Sequence, residues 1–105
     1  MTKPYMAHNV FFWLKEDTSE KDKLAFEIGL KKLGTVPNIQ SFYWGKPAST
    51  ENRDVVDNSY HYSINAFFTS LENQLIYQEH PIHSEFIENH SHIWETVKVY
   101  DNLTN

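Results

Sequence analysis

Met6-Ala7-His8-Asn9-Val10-Phe11-Phe12-Trp13-Leu14-Lys15, residues 6–15, decides the fold. Read as a strand, it turns His8, Val10, Phe12 and Leu14 to one side and Asn9, Phe11, Trp13 and Lys15 to the other. The alternation follows from the pleat of an extended chain. Each side carries large apolar groups. An antiparallel sheet with one face in water alternates apolar and polar residues more cleanly than this. The sheet therefore needs cover on both faces: its own helices on one and a second molecule on the other.

Working outward, residues 19–34 read as a helix. Thr18 or Ser19 caps it, acidic residues crowd its first turn, and Phe26, Leu30 and Leu33 form an apolar stripe. Gly29 beside the stripe permits close approach to the sheet. Leu24 and Ile28 point the other way and ask for further contacts. Gly34 and Pro37 mark the stop. Strand two covers 39–46, and a polar loop follows to about 59. Strand three covers 60–68, with Tyr60, Tyr62, Ile64, Ala66 and Phe68 on one face. Thr69-Ser70-Leu71-Glu72 matches a capping box and opens a second helix to about Glu79. His80-Pro81 breaks it, since proline cannot continue a helix but starts one well, and a third helical segment covers 81–91. Residues 93–100 form the last strand, with Trp94 near its start and Val97 and Val99 on the opposite face. The order β-α-β-β-α-β predicts an α+β, ferredoxin-like fold with a four-stranded antiparallel sheet and helices on one face. The bare face and the two-sided first strand predict a homodimer through sheet faces, a dimeric alpha/beta barrel.

Composition narrows the function. The chain has 105 residues, which predicts one domain over 1–105 with its core at about 6–102. Lys plus Arg is 9 against 14 Asp plus Glu, a net charge of −5, which argues against nucleic acid and anionic membrane as partners. There is no cysteine, so disulfides, thiolate metal sites and cysteine nucleophiles are excluded. The longest apolar run, Val10 to Leu14, is far short of the about 20 residues of a membrane span. The segment Met1-Thr2-Lys3-Pro4-Tyr5-Met6 has no secretory apolar region, which points to the cytoplasm. With 7 Phe, 6 Tyr, 3 Trp and 6 His, the chain is rich in rings, as a small-molecule pocket would be. No G-x-G-x-x-G, P-loop or G-x-S-x-G occurs, so nucleotide binding and serine hydrolase chemistry have no support.

Several segments together resemble the stress-responsive dimeric alpha/beta barrel domain family. They are His8-x-Val10-x-Phe12, Trp44-Gly45-Lys46-Pro47, Tyr77-Gln78-Glu79-His80-Pro81-Ile82-His83, and Trp94 with Val99-Tyr100-Asp101. The likeness spans about residues 6–102, and the His-Pro-x-His step preceded by a tyrosine is its most specific part. The resemblance implies a homodimer with a cavity between sheet and helices. Members that act as plant polyketide cyclases work without a cofactor. They place a general base at the second His of His-Pro-x-His and a tyrosine on the preceding helix. By position these are His83 and Tyr77, with His8 lining the cavity. A polar residue on strand three of such cyclases falls at Tyr62, where this chain has tyrosine in place of histidine.

The residues support the same pair in their own terms. An imidazole takes or gives a proton near neutral pH, and a base acting on a carbon acid needs a donor for the developing enolate. His83 is the candidate base and Tyr77 the candidate donor, with the Pro81 break turning the chain between them. His8, Tyr62, Phe86 and Trp94 are candidate substrate-binding residues. Trp13 and Phe11 are assigned to the dimer interface. His80 is assigned a structural capping role. His80, His83, His90 and His92 crowd one segment, but their offsets suit neither one helix face nor a closed tetrahedral site, so no metal and no cofactor are expected. His90 and His92 are read as exposed. Three functions stay open at this point. One is cofactor-free acid/base chemistry, cyclase- or lyase-like, on a keto or phenolic compound. The others are a non-catalytic stress-linked binding or structural homodimer, and a cofactor-free monooxygenase.

Overall fold

The computed structural model describes residues 3–105. The expected domain over 1–105 includes residues 1 and 2, which lie outside the described residues. The chain runs β1 (Met6–Leu14), α1 (Glu20–Leu33), β2 (Ser41–Gly45), β3 (Tyr62–Phe68), α2 (Leu71–Glu79), α3 (Pro81–His90), a 3-10 turn (Ser91–Ile93) and β4 (Trp94–Leu103). The sheet is four-stranded and antiparallel in the order β2-β3-β1-β4, the ferredoxin-like arrangement. No helix among the described residues is long and apolar enough to cross a membrane.

Local chemistry explains the element ends. The Ser19 hydroxyl accepts from the Asp22 N–H and starts α1. For α2 the cap is Ser70, which accepts from the Asn73 N–H at 3.0 Å, one residue on from the predicted box. The Asn73 amide reaches back to the Thr69 hydroxyl. His80 caps α3: its Nδ1 accepts from the Ile82 N–H at 3.1 Å, and Pro81 opens the helix where a missing N–H costs nothing.

The core lies between the sheet and the helices. Val10, Phe12 and Leu14 of β1 and Tyr62, Ile64, Ala66 and Phe68 of β3 meet Phe26, Leu30 and Leu33 of α1 there. Burying a side chain the size of Phe26 contributes about 1.5–3 kcal/mol. The outer face of the sheet keeps its large groups: Phe11 and Trp13 are only half-buried, and Tyr43 and Tyr100 are exposed. Leu24 and Ile28 also stay exposed on α1.

Four expectations need correction. Tyr60 does not share a face with Tyr62. It precedes β3 and packs on the outer face, with its ring 4.9 Å from Phe11. Trp94, Val97 and Val99 do share a face, because the β1–β4 register shifts between Trp13 and Leu14, opposite Glu95. Such a bulge adds one residue and re-aims what flanks it. Gly29 approaches α3, not the sheet: a Cβ there would collide with the His90 imidazole. His90 is accordingly packed, not exposed, with its ring 5.6 Å from Phe26 and 5.5 Å from Phe86.

Candidate functional site

A cavity of about 240 Å³ opens between the sheet and α2 and α3. Its walls include His8, Val10 and Phe12 from β1, Tyr77 from α2, His83, Phe86 and Ile87 from α3, and Trp94, Val97, Val99 and Asp101 from β4. The placement follows from the elements. His8 alternates with Val10 and Phe12 and so points inward. Tyr77 is in the last turn of α2 and His83 in the first turn of α3, and the His80-Pro81 corner turns both toward one space.

Tyr77 is 1% exposed and stands between two imidazoles. Its ring lies 4.9 Å from that of His83 and 5.9 Å from that of His8, edge-on to both. Burial pushes the phenol well above its ordinary range, so it remains a hydrogen-bond donor at neutral pH. Burial, and then the neighbouring His8, hold His83 below the usual histidine value of 6.5. A neutral imidazole can accept a proton. Among the described residues neither the Tyr77 hydroxyl nor the His83 ring makes a hydrogen bond within the chain.

His8 has a fixed partner. Its Nδ1 lies 2.5 Å from Oδ1 of Asp101. A carboxylate only accepts, so the pairing puts the hydrogen on Nδ1 and leaves Nε2 for the cavity. The His8 side chain is 7% exposed and that of Asp101 47%, so the dyad links the buried end of the cavity to its mouth. Gln74 and Gln78, joined by a 3.1 Å side-chain bond, line the wall beside Tyr77.

The other end is a block of rings. Phe12 lies 5.0 Å from Trp94 and 6.2 Å from Phe86, and Phe86 stacks on Phe26 at 5.6 Å. Trp94 Nε1 is the one buried side-chain donor without a partner among the described residues.

Of the six residues singled out in the sequence, five meet here: His8, Tyr77, His83, Phe86 and Trp94. Tyr62 is parted from them. Its hydroxyl donates to Glu27 at 2.6 Å, and it lines a separate cleft with Lys46 and His61. Burial, and then the bond to Glu27, raise the phenol, and the same bond lowers the Glu27 carboxyl. Asp101 and the glutamine pair were missed. The register of β1 against β4, which sets Asp101 opposite His8, was the signal that could have found the first. Among the described residues no three His, Asp or Glu side chains converge as metal ligands.

The Stress Responsive A/B Barrel Domain family matches residues 6–103. Olivetolic acid cyclase of Cannabis sativa is 24% identical over 95 residues, 90% of this chain and 91% of that protein. The structure of hydroxynitrile lyase from Passiflora edulis superposes with a TM-score of 0.79 at 21% identity, covering 98% of this chain and 96% of the other. A dimeric ferredoxin-like protein of Thermobifida fusca gives a TM-score of 0.78 at 14% identity, covering 96% and 92%. At such identities the two structures establish the shared fold.

Proposed function

The chain belongs to the stress responsive A/B barrel domain family, and on that premise we propose a homodimeric small-molecule protein that runs cofactor-free acid/base chemistry on a keto or phenolic compound. One observation carries the reading. Tyr77, a buried donor, and His83, an imidazole kept neutral, face the same cavity at a ring distance of 4.9 Å, with no hydrogen-bond partner among the described residues.

In this reading a ring nitrogen of His83 takes a proton from the carbon beside a carbonyl. The C–H electron pair moves into the enolate, and the Tyr77 O–H stabilises the oxygen where charge develops. His83 then returns the proton to carbon or to a leaving group. His8, held by Asp101, accepts through its bare Nε2 from a hydroxyl of the substrate and so orients it. Phe86 and Trp94 hold the apolar part of the substrate. Two of the similar proteins, a cyclase and a lyase, are named for reactions consistent with chemistry of this kind. We place the single-domain protein in the cytoplasm. Its outer sheet face, with Phe11 and Trp13, is the proposed dimer surface, in line with the dimeric relative.

The test uses a general carbon acid. Solvent deuterium uptake into pentane-2,4-dione, followed by NMR, should be accelerated by the protein and fall by about 10²–10⁴-fold in His83→Ala. Thermal melting and native mass spectrometry report the fold and dimer of the same variant. Unchanged exchange in a folded His83→Ala removes His83 from the chemistry. If the wild type gives no acceleration and His83→Ala alters stability alone, the cavity is a binding or structural element.

A further inference from the structure

The outer face of the sheet carries a second, smaller hollow, of about 150 Å³, away from the cavity. Its walls are Phe11 and Trp13 of β1, Tyr60 ahead of β3, Lys98 and Tyr100 of β4, and Asp57 of the preceding loop. The rings stand nearly at right angles to one another. Phe11 lies 4.9 Å from Tyr60 at 68° and 6.0 Å from Tyr100 at 67°, and Trp13 lies 6.3 Å from Tyr60 at 78°. Walls set this way leave a half-open hollow between the rings instead of one closed stack.

The box is held by its own hydrogen bonds. The Trp13 indole donates to the Ser59 hydroxyl at 3.0 Å. That hydroxyl donates to Asp57 at 2.6 Å, and the Ser59 N–H donates to the same oxygen at 2.9 Å. The loop is therefore pinned to the sheet, and the two Ser59 bonds hold the Asp57 carboxyl below its ordinary value. One cation already sits at the box: the Lys98 ammonium lies 5.4 Å from the centre of the Trp13 ring. Ring faces attract cations through their quadrupole, and boxes of several rings select quaternary and methylated ammonium groups. A flat apolar patch would need neither the carboxylate nor the crossed rings.

We propose that this box is a seat for a small quaternary ammonium ligand, with Lys98 as the tethered cation it displaces. The ligand's charge would face Phe11, Trp13 and Tyr60, and Asp57 would balance it. The seat does not depend on the chemistry of the main cavity. It lies on the face of the proposed dimer, so a second copy would enclose the bound cation. Binding would then favour the dimer by mass action.

The experiment titrates choline chloride into the intact protein and follows the Trp13 indole N–H by ¹H–¹⁵N NMR, assigned with Trp13→Phe. Two controls run beside it: sodium chloride at equal ionic strength, and 3,3-dimethylbutan-1-ol, the uncharged isostere. Choline should give a saturable shift and bind about 2- to 30-fold more tightly than the isostere, the range expected for cation–ring attraction. Lys98→Gln should tighten choline binding, and Tyr60→Leu should abolish it. Equal binding of choline and the isostere overturns the proposal, because the box is then only apolar. A dimer that shows no choline-dependent shift also overturns it: the second copy then covers the rings itself. The main cavity's reading is unaffected by either result, since deuterium uptake is measured separately.

Discussion

His8 and Asp101 face each other across β1 and β4, near the two ends of the chain, and Nδ1 of the one lies 2.5 Å from Oδ1 of the other. The pairing makes a polar post at one end of a cavity whose remaining walls are mostly apolar. It also fixes which histidine nitrogen carries the hydrogen, a choice that an unpartnered imidazole leaves free.

Asp101→Asn should release that choice. The uncharged amide can accept or donate, so both His8 tautomers become populated. Exchange with the diketone probe should fall about tenfold to a hundredfold, the worth of a charge-assisted hydrogen bond. Long-range ¹⁵N NMR of the His8 ring reads the tautomer directly. A single, unchanged tautomer in the variant counts against the positioning role.

His83 sets the acid limb of activity. Its pKa is held below 6.5 by burial and by His8. The base works unprotonated, so the rate is lost as pH falls through this lowered value and is flat at neutrality. His8→Asn removes the neighbouring imidazole, the second cause of the lowering, and leaves the burial. The limb should then move upward while staying below the ordinary histidine value. Ring-proton titration of His83 by NMR checks the shift independently of turnover.

Gly29 and His90 predict a sign reversal. Gly29→Ala pushes a methyl into the His90 ring, which Phe26 and Phe86 hold in place, and should cost about 1–3 kcal/mol. In a His90→Ala background the collision is gone. The same change should then stabilise by up to about 1 kcal/mol, the helix preference for alanine over glycine. Thermal melts of the four proteins complete the cycle. Additive effects would mean that the two residues do not touch.

Acid stability follows from the two lowered histidines. His83 and His90 both titrate below 6.5 in the fold, chiefly through burial. Below that value the unfolded chain binds protons that the native state does not, so stability falls with falling pH until the folded groups titrate too. His90→Gln should shallow this decline, as measured by denaturant midpoints between neutral and mildly acidic pH.

Tyr62→Phe is the control that separates the two clefts. It removes the 2.6 Å bond to Glu27 and should cost about 0.5–1.5 kcal/mol. His83 titration and diketone exchange should not change, because Tyr62 is spent on α1 and does not reach the cavity.

What could be read from the residues was whatever depends on local order. The two-faced β1, the Phe26-Leu30-Leu33 stripe and the His80-Pro81 corner are set by period and by proline geometry. They were enough to turn Tyr77 and His83 toward one space, whereas the expectation that His8 lines the same cavity came from the family resemblance. What escaped depends on partners distant in sequence. Asp101 becomes His8's neighbour only through strand register. Tyr62 is drawn off by Glu27 on α1. His90 becomes packed because Gly29, on another helix, leaves room for its ring. The 47–59 loop gave no sign that it ends by bracing Trp13 through Ser59.

The bulge at Glu95 gives this strand a spare residue. Leu14 pairs with Trp94 and Trp13 with Thr96, so Glu95 stands in no rung of the ladder. Deleting it would join Trp94 to Thr96 in ordinary alternation and turn no side chain over. Deleting one residue between Val97 and Asp101 would instead invert part of the strand and trade cavity groups for outer-face ones. Tolerance to shortening is therefore concentrated at one position. A relative one residue shorter at that point could keep the same cavity wall.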